Sequence, residues 1–284
     1  MEVIVAENSG FCHGVRNAID VAEKTLTSEK NVYSLGPIIH NNDEVDRLTK
    51  AGLKNVQTID QIPSGTVIIR SHGAAPKQIE ALRTKGLKIV DATCVLVKRV
   101  QQLAQQLAED GYLIVIIGDE NHPEVQAVMG SAENVVVVSD ESDMRKLSYN
   151  NKLGIVCQTT QSPEYFRQIV CAIIGQDFHE LRILNTLCKE AIKRQKSAVE
   201  LCKKVDIMFV LGGLHSANTH RLAELCKKYN NQTFHLQNWS EFDKSILFGK
   251  RSAGVTAGAS TPDWVISEFV ENLRAFNSKA SDES

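Results

Sequence analysis

Asp91-Ala-Thr-Cys94-Val-Leu-Val-Lys98 and, one helical stretch later, Leu113-Ile-Val-Ile-Ile117-Gly-Asp-Glu-Asn-His122-Pro-Glu124 decide the fold. The five-residue apolar run Leu113–Ile117 ends at a glycine and has the length of a buried strand. Between the two segments, Val95–Glu109 carries a helical pattern. Strand, polar loop and helix in alternation are the signature of parallel βα units. The same alternation runs along the whole chain. Strands are expected at Val3–Ala6, Val67–Ile69, Leu87–Val90, Val135–Val138, Leu153–Val156, Ile207–Leu211 and Ala253–Thr256. Helices are expected at Val15–Thr25, Pro163–Ile174, Glu190–Lys204 and Thr219–Lys228.

Composition narrows the class. The chain has 284 residues, 43% of them hydrophobic and 23% charged, which supplies ample material for a core. Lys and Arg number 32 against 34 Asp and Glu, so the basic excess of a nucleic-acid binder is missing. No apolar run approaches the roughly 18 residues of a membrane span, and the acidic start Met1-Glu-Val-Ile-Val-Ala-Glu7 is unlike a signal peptide. A soluble, cytoplasmic protein is expected, with neither membrane nor nucleic acid as partner. Seven cysteines occur at 12, 94, 157, 171, 188, 202 and 226, with no pair in Cys-x-x-Cys spacing and no secretory segment to suggest disulfides.

An internal repeat organises these residues. Cys12, Cys94 and Cys188 each close an extended run and open a helix, and each is followed by basic residues: Arg16, Lys98 with Arg99, and Lys193 with Arg194. His40 lies 28 residues beyond Cys12, His122 lies 28 beyond Cys94, and Ser216 lies 28 beyond Cys188. A second strand and polar loop then follows in every unit, ending at Ser71-His72, Thr159-Thr160 and Ser260. The expected organisation is α/β, with units at 13–94, 95–187 and 188–272, residues 1–12 returning to the centre and a disordered tail at 273–284. Cysteines and loops fall at strand C-terminal ends, where α/β folds place ligand sites.

Three thiolates drawn from three units can hold zinc, copper(I) or an iron–sulfur cluster and leave one coordination position open. Cysteine is also simply small, and three could start helices by chance; the matched spacing favours the ligand reading. Imidazoles, hydroxyls and amides of His40, His72, His122, Thr159, Thr160, Ser216, Asn218 and Ser260 form a cradle suited to phosphate or diphosphate. Glu124 is the one carboxylate inside that ring and is suited to deliver protons, although a first-turn Glu after Pro123 is also ordinary helix chemistry. His13, His179, His220 and His235 read as surface or capping residues, and His215 is ambiguous beside the in-phase Ser216. Cys157, Cys171, Cys202 and Cys226 read as packing residues.

Taken in order, the motifs Gly-Phe-Cys12-x-Gly-Val, Ile-His40-Asn, Ser-His72-Gly, Asp91-Ala-Thr-Cys94, His122-Pro-Glu124-Val, Gln158-Thr159-Thr160, Cys188 with Arg194-Gln195, Ser216-x-Asn218 and Thr256-Ala-Gly-Ala-Ser260 resemble the 4-hydroxy-3-methylbut-2-enyl diphosphate reductase (LytB/IspH) family from about residue 1 to about 272. The resemblance implies a pseudo-threefold trefoil around one 4Fe-4S cluster on Cys12, Cys94 and Cys188, with an open apical iron. It implies a diphosphate held by His40, His72, His122, Ser216, Asn218 and Ser260, and protons passed by Glu124 with Thr159. The implied reaction is a reductive dehydroxylation to isopentenyl and dimethylallyl diphosphates, the last step of the non-mevalonate isoprenoid pathway, with a ferredoxin or flavodoxin as electron donor. Val95, Gln126, Ala191 and Ala217 depart from the family pattern around the pocket. A paralogue with the same cluster and another substrate, or a non-catalytic redox sensor, are the other readings.

Overall fold

The structure, a computed structural model, describes residues 1–147, 152–214 and 216–282. The chain opens with β1 (Glu2–Val5) and α1 (His13–Ser28). There follow β2 (Val32–Leu35), α2 (Asn42–Lys50), β3 (Lys54–Val56), β4 (Thr66–Ile69), α3 (Pro76–Thr84) and β5 (Lys88–Asp91). The next stretch holds α4 (Val95–Glu109), β6 (Leu113–Ile117), α5 (Pro123–Met129), β7 (Val135–Val138), β8 (Lys152–Cys157), α6 (Pro163–Ile174) and β9 (Glu180–Ile183). The last holds α7 (Lys189–Cys202), β10 (Ile207–Leu211), α8 (Ala217–Lys227), β11 (Thr233–Leu236), β12 (Ser252–Ala257) and α9 (Asp263–Asp282).

These strands form three four-stranded sheets, ordered β3-β2-β4-β5, β7-β6-β8-β9 and β11-β10-β12-β1. Every pairing is parallel. The three orders are one pattern repeated, except that β1, from the start of the chain, takes the edge that β5 and β9 fill in the other two. β1 pairs with β12 in the register Val3↔Ala253 and Val5↔Val255.

By compactness the described chain divides into two units. One comprises 1–16, 39–46 and 189–284; the other comprises 17–38 and 47–188 and contains two of the sheets. Within that second unit Gln101 on α4 fastens the two sheets' elements to each other. Its Nε2 donates to the carbonyl of Ala74, after β4, at 3.0 Å and to the carbonyl of Ala127, on α5, at 3.1 Å. On β8, a Cβ at Gly154 would stand 2.9 Å from Leu107 Cδ1, so only glycine lets α4 lie this close to the strand.

Alternation along β10 sets the layers of the first unit. Ile207, Phe209 and Leu211 join a core with Phe269, Val270 and Leu273 of α9. Met208 and Val210 face the opposite core, with Ala198 and Leu201 of α7 and Leu222 and Ala223 of α8. Phe209 is fully buried and rings the space with Phe242 at 4.9 Å and Phe269 at 5.1 Å between centroids.

Two departures from the sequence expectations have physical reasons. Strands β3, β9 and β11 were not expected; each lies at a sheet edge, and none shows a long apolar run. Residues 273–282 belong to α9 rather than to a disordered tail, and Leu273 is buried against the first unit's core. His215 lies outside the described residues.

Phe209→Ala should leave a cavity at the centre of this aromatic group and cost about 3–5 kcal/mol, read as a lowered urea midpoint. Trp264→Ala, at a half-exposed site on the same helix as Phe269, should stay within about 0.5 kcal/mol.

Candidate active site

The three in-phase cysteines sit at equivalent places. Each immediately precedes a helix: Cys12 before α1, Cys94 before α4, Cys188 before α7. Each backbone N–H donates to a carbonyl in one of the second-strand loops: Cys12 to Ala259 at 3.1 Å, Cys94 to Ser71 at 3.0 Å, and Cys188 to Thr159 at 2.8 Å. In every case the acceptor belongs to the loop that also carries the polar candidate, namely Ser260, His72 or Thr160. The thiols are partly exposed, whereas Cys157, Cys202 and Cys226 are buried. At Cys12 the helix start reaches the sulfur directly, Val15 N–H donating to Sγ at 3.4 Å.

In the unit of 17–38 and 47–188, two strand ends bring histidines together. His72 and His122 stack edge to face with ring centroids 5.4 Å apart. His122 caps α5, its Nδ1 accepting from Glu124 N–H at 3.2 Å, which assigns the ring proton to Nε2. Pro123 at the first helical position presets the turn. Glu124 is 2% exposed and meets Thr159 twice: the Thr159 N–H donates to Oε1 at 2.7 Å and the Thr159 hydroxyl to Oε2 at 2.9 Å. Thr160 Oγ1 accepts from Gln158 Nε2 at 3.3 Å.

In the unit of 1–16, 39–46 and 189–284, Ser216 caps α8, its Oγ accepting from Thr219 N–H at 3.3 Å and from the Thr219 hydroxyl at 3.0 Å. Its own hydroxyl hydrogen is thereby free to donate elsewhere. Ser260 spends its hydroxyl hydrogen on the His40 carbonyl at 3.0 Å, fixing the two loops to each other. Asn218 Nδ2 is buried with no hydrogen-bond partner, as a donor waiting for an acceptor would be.

Sequence reasoning missed one positioning residue and misplaced others. Arg194, read in the sequence as a basic and motif residue after Cys188 with no positioning role, is 4% exposed and donates through Nη2 to the Gly10 carbonyl at 2.8 Å. It therefore anchors the turn Gly10-Phe11-Cys12, in which Gly10 adopts φ +80°. An arginine two turns into a helix carries no local signal of such a long-range bond. Cys171 is exposed on α6, so it does not serve packing. Val95 is 76% exposed, and Gln126 is exposed with its amide on the Glu120 carbonyl at 2.7 Å, so these two departures from the family pattern fall on the surface. Ala191 is buried, and the Ala217 side chain lies outside what is described. His235 is half-buried and pairs through Nε2 with the Gly212 carbonyl at 3.1 Å, and burial lowers its pKa. It braces the loop before Ser216 rather than standing on the surface.

Known proteins match this arrangement over nearly its whole length. A reductase from Pelobacter propionicus named 4-hydroxy-3-methylbut-2-enyl diphosphate reductase is 42% identical over 280 residues, 98% of this chain and 100% of its own. The enzyme of the same name from Aquifex aeolicus is 41% identical over 279 residues, covering 96% of each chain. A solved structure of (E)-4-hydroxy-3-methyl-but-2-enyl diphosphate reductase, described as the terminal enzyme of the non-mevalonate pathway, is 40% identical with a TM-score of 0.73 over 97% of this chain and all of its own. The corresponding Plasmodium falciparum reductase structure is 28% identical, with a TM-score of 0.91 over 96% of this chain and 87% of its own. Fold and relatives together define an α/β enzyme of the oxidoreductase class. More narrowly, the chain belongs to the LytB protein family, whose model matches residues 3–274, and that membership implies an iron–sulfur cofactor.

No helix among the described residues is long and apolar enough to cross a membrane. Arg194→Met should remove a buried charge-assisted bond and cost about 1.5–3 kcal/mol, measured by chemical unfolding. Arg16→Met, in the largely solvated pair with Asp263, should cost no more than about 1 kcal/mol.

Proposed function

We propose that the protein reductively dehydroxylates 4-hydroxy-3-methylbut-2-enyl diphosphate, adding two electrons and two protons and releasing water to give isopentenyl and dimethylallyl diphosphates. The observation that carries this reading is the paired bond between Glu124 and Thr159, a buried carboxyl joined to a hydroxyl in a family of reductases. The chain as described fits the implied cofactor. Three partly exposed thiols, each placed by its own amide bond at a helix start, form a sulfur-only donor set, which suits an iron–sulfur cluster. Cys12, Cys94 and Cys188 would hold it, and when bound it would supply the two electrons and Lewis acidity toward a poor leaving group.

The protein's own groups account for the rest. Hydroxide leaves as water only if a proton arrives, and Glu124 with Thr159 forms a two-member path for one. With Glu124 protonated at Oε2, the Thr159 hydroxyl rotates to accept that hydrogen and offers its own outward. The Thr159 N–H bond to Oε1 holds the carboxyl in register throughout. His72 and His122, through ring nitrogens, and Ser216, through its hydroxyl, donate to diphosphate oxygens, and the buried Asn218 amide acquires its missing acceptor. His40 and Ser260 join the same cradle with their loops already fastened. The electrons come from a small protein carrier of the ferredoxin or flavodoxin kind. Because Val95 and Gln126 lie on the surface, those departures leave the cradle intact and favour this substrate over that of a paralogue.

The direct test is anaerobic turnover of cluster-reconstituted protein with a reduced low-potential dye and the diphosphate substrate. Dye oxidation with both isoprenoid diphosphates as products is the expected result; an intact cluster spectrum without turnover would move the assignment to another substrate. Glu124→Gln should lower turnover by roughly 10²–10⁴-fold while iron content is unchanged. Replacing Cys12, Cys94 or Cys188 by Ala should lose iron, whereas Ala at Cys157, Cys171, Cys202 or Cys226 should keep it.

A further inference from the structure

Arg70, just beyond the end of β4, has a setting the proposed reaction does not use. Its side chain lines a cavity of about 180 Å³ together with Leu35, Gly36, Gln57, Gly73 and Gln78, among other residues. The Arg70 side chain is partly buried and makes no hydrogen bond or ion pair with any described residue, and burial alone lowers its pKa. No carboxylate lines the cavity. A partly desolvated cation with no counter-charge beside it favours an anion in the same cavity.

Everything around the cavity adds to the positive side. It opens at the carboxyl ends of β2 and β4, where parallel sheets present ligands. Helix α3 begins beside it, its third residue being the lining Gln78, and its first turn has no acidic residue and an alanine where a polar cap is usual. Gly36, at φ +75°, holds backbone against the guanidinium, and a Cβ there would stand 2.9 Å from Nη1. The guanidinium thus lies against the Gly36 backbone at the wall of the cavity. A planar fork in a small cavity with two neutral amides matches a tetrahedral oxyanion.

We propose that the Arg70 cavity is an anion subsite that takes a phosphate group, distinct from the residues assigned to the diphosphate substrate. The phosphate is either free inorganic phosphate or the end of a phosphate monoester. The subsite stands or falls independently of the reductase assignment, because binding and not turnover reports it.

The test is thermal unfolding of the protein as purified, under argon, in chloride buffer titrated at constant ionic strength with inorganic phosphate or with glycerol 3-phosphate. Wild type should show a saturable rise in midpoint, about 5 °C at a hundredfold excess over the dissociation constant. Arg70→Gln should abolish that rise and, having lost an uncompensated cation, should start no lower than wild type in chloride. Arg70→Lys, which keeps the charge but not the fork, should retain a weaker rise and covers the case in which the glutamine variant does not fold. Asn218→Ala should leave the rise in place, since that residue belongs to the other cradle. A rise with both compounds assigns the subsite to organic phosphates, and a rise with inorganic phosphate alone assigns it to the free ion. A rise undiminished in Arg70→Gln, or lost in Asn218→Ala, would place the anion elsewhere and overturn the proposal. So would a midpoint lowered equally with and without phosphate in Arg70→Gln, which would make Arg70 a packing residue.

Discussion

One hydrogen bond, made three times, underlies the arrangement of this protein. In each case the amide of the cysteine at a helix start donates to a carbonyl in the loop after the neighbouring strand of the same sheet, β12 for Cys12, β4 for Cys94 and β8 for Cys188. The bond fixes a thiol at the carboxyl edge of a parallel sheet and, at the same stroke, fixes the loop that carries a histidine, a threonine or a serine. Side chains that never touch one another in sequence are therefore placed by a single backbone contact. Chemistry is delegated to loops, and the loops are held by amides that substitution of a side chain cannot remove.

The sheets behind those loops are built to be rigid. Strand alternation on β10 sends Phe209 to one core and Met208 and Val210 to another, so the sheet is clamped on both faces. In the second unit α4 touches β8 through the bare backbone of Gly154, and Gln101 joins the loop after His72 to the helix that carries Glu124. A proton path of two residues tolerates little slack, because a hydrogen bond weakens steeply outside about 2.5–3.2 Å. The 2.7 Å and 2.9 Å from Thr159 to Glu124 sit on such a frame.

Much of this was legible in the residues. Spacing of 28 between cysteine and first loop exposed the repeat, and β-branched runs exposed the central strands, because buried parallel strands are written as near-continuous apolar runs. Edge strands β3, β9 and β11 were invisible for the same reason turned round: with one neighbour and one wet side, their residues need not be apolar. The candidate ring of histidines and hydroxyls was readable as a list, but not its wiring. Nothing in the sequence tells that Glu124 takes both hydrogens of Thr159, that Arg194 reaches back to Gly10, or that Arg70 has no counter-charge. Those are contacts between residues far apart in the chain, and local pattern does not encode them. Cys171 shows the converse error, in which an apolar residue type was taken for a buried one.

The edge position that β1 fills has a consequence for how the molecule comes into being. β1 is synthesised before the other strands, yet its partner β12 is among the last to be made, with Val3 opposite Ala253. The other two sheets are assembled from contiguous sequence and can form as they are translated. The third must wait with an unpaired strand until its partner arrives, the kind of distant pairing that slows folding and leaves an edge open to wrong neighbours. Glu2 and Ser252, opposed at the start of that pairing, put polar side chains on the edge during the wait. Birth order and sheet order run in opposite directions here, and the last sheet closes only when the two ends of the described chain meet.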